Sequence, residues 1–123
     1  MYASQLEAYK TAQNIGMSHR EIEAAVLTKG AFMLKECQDN WEASKTNGSL
    51  DKALRYNQLI WSIFQTELAK PGNPLPQNLK IDLLNLASFI DKRIFEIMAY
   101  PSPDKLAIIM KINLNIAAGL RNQ

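Results

Sequence analysis

One histidine, one cysteine and two tryptophans are the side chains with most chemistry to offer, and their neighbours decide what each can do. A histidine beside a carboxylate can move protons, and His19 stands in Ser18-His19-Arg20-Glu21 with Glu23 close behind. That S-x-x-E spacing is also the capping box that opens a helix, which puts His19 in an exposed first turn. Cys37 would act as a nucleophile only as a thiolate. It recurs at helical spacing with Ile22, Val26, Gly30, Met33 and Trp41, so it reads as an inert core thiol. The carboxylates Glu21, Glu23, Asp82 and Asp91 read as solvated surface. No Cys/His spacing suits zinc, no acidic loop suits calcium, and no glycine-rich loop is present to cradle a phosphate. Catalysis, a metal and a cofactor are therefore not expected. Trp41 and Trp61 read as core side chains rather than binding platforms.

Two asparagines carry a different chemistry. Asn57 sits among Leu50, Ala53, Leu54, Trp61, Phe64 and Leu68, and Asn113 among Leu106, Ile109, Met110, Ala117 and Leu120. A buried amide left without partners costs about 1–3 kcal/mol. In an up-down bundle the two helices run in the same direction. At 1.5 Å per residue Asn57 lies about 10 Å, and Asn113 about 15 Å, above the start of its helix. At such similar heights they are expected to bond each other or a shared backbone group and so fix helix register. Gly30, in the middle of its own stripe, costs helix stability and points to a close helix approach.

The elements that position these residues follow from apolar spacing and punctuation. Fifteen Leu and twelve Ile against a single Val favour helix over sheet. Residues 2–13 place Tyr2, Leu6 and Tyr9 on one side of a short helix that must dock on something to be stable. Long helices are expected over 18–41, 49–69, 76–99 and 103–119. Residues 42–48 read as a loop, with Ser49 and Ser102 as caps. The block Pro71-Gly72-Asn73-Pro74-Leu75-Pro76 ends one helix and holds it at a fixed turn from the next, with Pro76 at the first helical position. The third helix carries a main stripe of Leu79, Leu83, Leu86, Ile90, Ile94 and Ile97. A second stripe of Ile81, Leu84, Ser88 and Phe95 lies roughly opposite, so this helix needs two neighbours. The fold class is all-α: a small four-helix bundle with an additional short N-terminal helix or arm. One domain spans 1–123, with 1–17 the arm and 18–119 the bundle.

Bulk properties narrow the partners. The chain has 123 residues and a formal charge of +2, with Lys and Arg scattered among Asp and Glu. No basic stripe is available for a phosphate backbone, so nucleic acid is not expected as a partner. No apolar run approaches membrane-spanning length and no signal peptide opens the chain, which reads as cytoplasmic. A single cysteine suits a reducing compartment.

Asn57-x-x-x-Trp61-x-x-Phe64-x-x-x-Leu68, followed by Lys70 and then Pro71, Gly72, Asn73, Pro74, Leu75 and Pro76, resembles the FlaF family of flagellar biosynthesis regulators. Ala8-Tyr9-Lys10-Thr11-Ala12-Gln13 is similar to the family's opening motif, and Asn113-x-x-Ile116-x-x-Gly119-Leu120-Arg121 to its closing one. The resemblance covers nearly the whole chain and least of all the first long helix and residues 42–48. It implies a role in flagellin production, with flagellin as a partner and a second small regulator, FlbT, as a further one. Two mechanisms fit it: a flagellin-binding secretion chaperone with an apolar helical groove, and a post-transcriptional regulator acting through flagellin mRNA or FlbT.

The second stripe is surplus to a simple four-helix core. Ile81, Leu84 and Phe95, with Tyr2, Leu6 and Tyr9 of the arm, are the candidate partner-binding residues. The stripe has three candidate covers: the arm, a partner helix, or a second copy of the chain.

Overall fold

The computed structural model describes residues 19–122, so the N-terminal arm and the Ser18 cap lie outside the described residues. Helix α1 spans His19–Asp39, α2 Trp41–Thr46, α3 Ser49–Ala69, α4 Gln77–Ala99 and α5 Leu106–Arg121, with a single 3₁₀ turn at Pro103–Lys105 before α5. No strand occurs among the described residues. The four long helices form a small all-α bundle, as their apolar spacing predicts.

Helix α1 packs against both α5 and α3, and α3 packs against α4. The small residues Ala24, Gly30 and Ala31 on α1 and Ala117 on α5 are all buried, which lets these backbones come close. Between two neighbours the buried face of α1 is broader than a single stripe. Leu27, Ala31 and Leu34 are therefore buried beside Ile22, Gly30 and Cys37, whereas Val26, Met33 and Trp41 are only half-buried at its margin.

Local chemistry moves several boundaries. Residues 41–46 form a short helix, although 42–48 read as a loop in the sequence. Trp41 packs on the core and Ser44 is buried, its hydroxyl donating to the Trp41 carbonyl at 2.8 Å. Helix α3 is entered from Gly48 rather than capped by Ser49. Gly48 has φ +84°, a left-handed conformation that costs glycine nothing. Ser49 then donates both its backbone N–H and its hydroxyl to Asn47 Oδ1, at 2.9 and 2.6 Å. Pro76 stands one residue ahead of α4 rather than inside it, with extended ψ 145°. Ser102 flanks the 3₁₀ turn without a side-chain cap bond. The turn is held to α1 by Gln38, whose Nε2 donates to the Pro103 carbonyl at 3.0 Å. Helix α5 also continues past Gly119 to Arg121, where the guanidinium donates to Thr28 Oγ1 at 3.0 Å.

The proline block is held by Asn73. Its Nδ2 donates to the Glu67 carbonyl at the end of α3, and its Oδ1 accepts from the Leu75 N–H. One side chain thus adds a second donor to the Glu67 carbonyl, which already accepts the Lys70 N–H at 3.3 Å, and turns the chain toward α4.

Candidate functional site

The two buried side-chain amides among the described residues, Asn57 and Asn113, meet at one level of the bundle. Asn57 Nδ2 donates to the carbonyls of Gly30 (3.1 Å) and Ala53 (2.9 Å). Asn113 Nδ2 donates to Asn57 Oδ1 (2.7 Å) and to the Leu27 carbonyl (3.2 Å). Asn113 Oδ1 accepts from the Trp61 indole at 2.9 Å. The indole N–H can only donate, so it fixes the orientation of Asn113, which in turn fixes that of Asn57. Both amides are wholly buried and each makes its full set of donations. This clasp ties α1, α3 and α5 together at one height, as the two stripe-centre asparagines predict. Gly30 makes room for it: a Cβ there would collide with Asn57 Oδ1 and lie 3.0 Å from Asn113 Nδ2. Trp61 is buried and meets Phe64 edge to face at 5.9 Å. It belongs to this structural clasp.

One turn further toward the proline block the bundle opens. A cleft of about 660 Å³ lies where the ends of α3 and α5 meet the starts of α1 and α4. Its apolar lining includes Phe64, Leu68, Leu75, Leu83, Ile116 and Leu120, and the Pro71–Pro76 loop contributes Gly72, Asn73 and Pro74. His19, Arg20, Glu23, Glu67 and Lys70 add charges of both signs. Glu67 is paired with Lys70 at 2.8 Å, and partial burial pushes the Glu23 carboxyl above its usual range, opposed by nearby His19 and Arg20.

The cleft exists because α4 and α5 do not approach each other closely. The stripe of α4 is buried from Ala87 onward, through Ile90, Ile94 and Ile97. Its first half is less covered: Leu79 is 39% exposed, Leu83 is half-buried at the cleft, and Leu86 is half-buried against the core. An unfilled apolar seam between two helices is a ready seat for another apolar segment.

The second stripe lies elsewhere. Ile81 is 48% and Phe95 57% exposed, and Leu84 is half-buried. None of the three lines the cleft. Tyr2, Leu6 and Tyr9 lie outside the described residues. Cys37 is buried, and burial pushes its thiol up, as befits an inert core side chain. Among the described residues no group of three or more His, Cys, Asp or Glu is placed to hold a metal ion, and no helix is long and apolar enough to cross a membrane.

Sequence reasoning did not select Leu83, Ile116 and Leu120 as site residues, because their spacing assigns them to core stripes. The signal that separates them is three-dimensional: a stripe that outruns its neighbour.

The sequence model of the family described as flagellar protein FlaF matches residues 5–120. The chain belongs to the FlaF family. It is thus a flagellar protein, and the clasp residues Asn57, Trp61 and Asn113 and the cleft-lining loop all fall within the matched FlaF region. Neither a curated protein nor a solved structure matches the chain.

Proposed function

We propose that this FlaF-family protein is a cytoplasmic flagellin-binding export chaperone that receives an amphipathic helix of flagellin in the cleft between α4 and α5. It works by binding alone, without catalysis. The observation that supports this most is the apolar cleft itself, in which half-buried Leu83 of α4 faces the same space as Phe64, Leu68, Ile116 and Leu120. A helix presents apolar residues at the three- and four-residue steps that such a seam can receive, and charges at the rim suit its polar flanks. The proline block and Asn73 hold one wall in place before binding, which lowers the ordering cost.

Purified full-length and end-truncated flagellins tested for co-purification with the chain check this reading, with an RNA shift assay alongside. Binding that depends on a flagellin helical end, and no RNA shift, is expected. A shift with flagellin mRNA and no flagellin binding would instead support the translational reading. Replacing Leu83 by Glu should weaken flagellin binding at least tenfold with little loss of fold, since a charge would be buried unpaired in the complex. If Leu84→Glu or Phe95→Lys weakens binding and Leu83→Glu does not, the partner runs over the outer stripe of α4.

A further inference from the structure

Along α1 the residues that face the bundle interior recur at steps of four and three: Glu23, Leu27, Gly30, Leu34 and Cys37. The last four are buried, and Gly30 lies against the Asn57–Asn113 pair. Glu23 therefore stands in core register, about 10 Å from Gly30 along the helix. It is half-buried and lines the α4–α5 cleft, so it is not the solvated surface carboxylate expected of it.

A carboxylate drawn out of water needs a cation or hydrogen-bond donors. Glu23 makes no hydrogen bond or ion pair with another described residue. Burial raises its carboxyl; His19 and Arg20 of its own helix oppose the rise through space, and Glu67 of α3 adds to it. Glu67, the other carboxylate of the lining, is already answered by Lys70 at 2.8 Å. Arg20 is exposed, so water serves its charge. We propose that Glu23 selects the occupant of the cleft: an amphipathic helix with a lysine or arginine beside its apolar face, seated so that this cation meets the Glu23 carboxylate. This rests on the helix-binding reading of the same cleft and adds the charge that the helix must bring.

Apolar contact with Phe64, Leu68, Leu83, Ile116 and Leu120 does not distinguish one amphipathic helix from another. An unanswered carboxylate at the edge of that contact does. A helix with a cation there forms charge-assisted hydrogen bonds that the bound helix itself shields from water. One with an apolar residue there strips the remaining water from Glu23 without replacing it. An acidic residue there meets repulsion from Glu23 and Glu67 together. The long stem of Lys or Arg suits the place, since its methylenes lie along the apolar lining while its charged end reaches the carboxylate.

A carboxylate kept for a partner weakens the free fold. The folded chain holds the Glu23 proton more tightly than the unfolded chain, so its charge at neutral pH opposes folding. Glu23→Gln should therefore unfold at or above the wild-type temperature. A purely structural charge near the start of α1 would favour the helix N-terminus and predicts a lower midpoint.

The test selects displayed amphipathic helical peptides, with leucines fixed on one side and flanking positions randomised, on the purified wild-type chain and on Glu23→Lys. Wild type is expected to select Lys or Arg at one flanking position, and Glu23→Lys to select Asp or Glu at the same position. A peptide from the wild-type selection should lose at least roughly tenfold in affinity on Glu23→Gln, keep most of it on Glu23→Asp, and fail to bind Leu83→Glu. The same residues selected by both chains, no peptide selected by wild type, or peptides that bind Leu83→Glu as well as wild type would overturn the proposal. A lower midpoint in Glu23→Gln with an unchanged peptide choice would make Glu23 a helix-end charge and overturn it too. Purified flagellin separates this proposal from the chaperone reading. Peptides that switch with Glu23 while flagellin binds no variant leave the charge assignment standing and sink the chaperone reading. Flagellin that binds wild type, Glu23→Gln and Glu23→Lys alike, but not Leu83→Glu, does the reverse.

Discussion

Trp61 shows how one side chain serves both the apolar and the polar order of the bundle. Its ring packs on Phe64, and its N–H determines which way Asn113 faces. Trp61→Phe keeps most of the ring but leaves Asn113 Oδ1 without its donor, and should cost about 1–3 kcal/mol in denaturant unfolding. Trp61→Ala should cost about 3–5 kcal/mol and reduce soluble protein. A well-folded Trp61→Ala variant that only fails to bind flagellin would move this residue from the core to the binding site. Gly30→Ala sets two effects against each other. Alanine gains up to about 1 kcal/mol of helix propensity, while its Cβ collides with the Asn57 amide. Overpacking of about 1–3 kcal/mol should win and lower the melting temperature. Tyr56 is buried, and burial raises its phenol to about 12, with Lys29 5.2 Å from the ring centroid. The unfolded chain loses this proton near pH 10 and the folded chain near 12. Stability from Tyr56 is therefore complete below pH 10 and falls between the two, by on the order of 2 kcal/mol. Tyr56→Phe should flatten that part of an alkaline unfolding profile. The asparagine pair and the need for Gly30 were legible in the sequence, because polar or small residues in a regular apolar stripe demand a reason. The role of the indole as third partner was not, since stripe spacing does not say where a side-chain N–H points.

At the scale of elements, α4 is the instructive helix. Its main stripe was readable over its whole length, yet only its second half is buried. Periodicity reports which residues are apolar on one side; it does not report whether a neighbour is there. The loop over 71–76 was readable as a rigid turn from its prolines, and Asn73 shows how it is held. Asn73→Ala removes both bonds and should cost about 1 kcal/mol while loosening one wall of the cleft. Gly72→Ala is expected to be silent, since φ is not left-handed there and a Cβ meets nothing within 4 Å. The helical turn at 41–46 escaped the sequence reading because its polar composition resembles a loop. Its order comes from Trp41 and Ser44 docking on the bundle.

For the whole molecule, the bundle is closed at the end bearing α2 and the 3₁₀ turn and open at the proline end, with the polar clasp between. On the proposed reading stability rests on the clasp and binding on the cleft, with Trp61, which also lines the cleft, at their border. Changes at Asn57, Trp61 or Asn113 should act on the fold, and changes at Leu83, Ile116 or Leu120 on partner binding. The most direct measurement is the affinity of purified flagellin for the wild-type chain and for Leu83→Glu, with thermal unfolding of each recorded alongside. A near-wild-type unfolding midpoint with at least a tenfold loss of affinity is expected. Wild-type affinity in a folded Leu83→Glu protein would contradict the cleft as the flagellin seat.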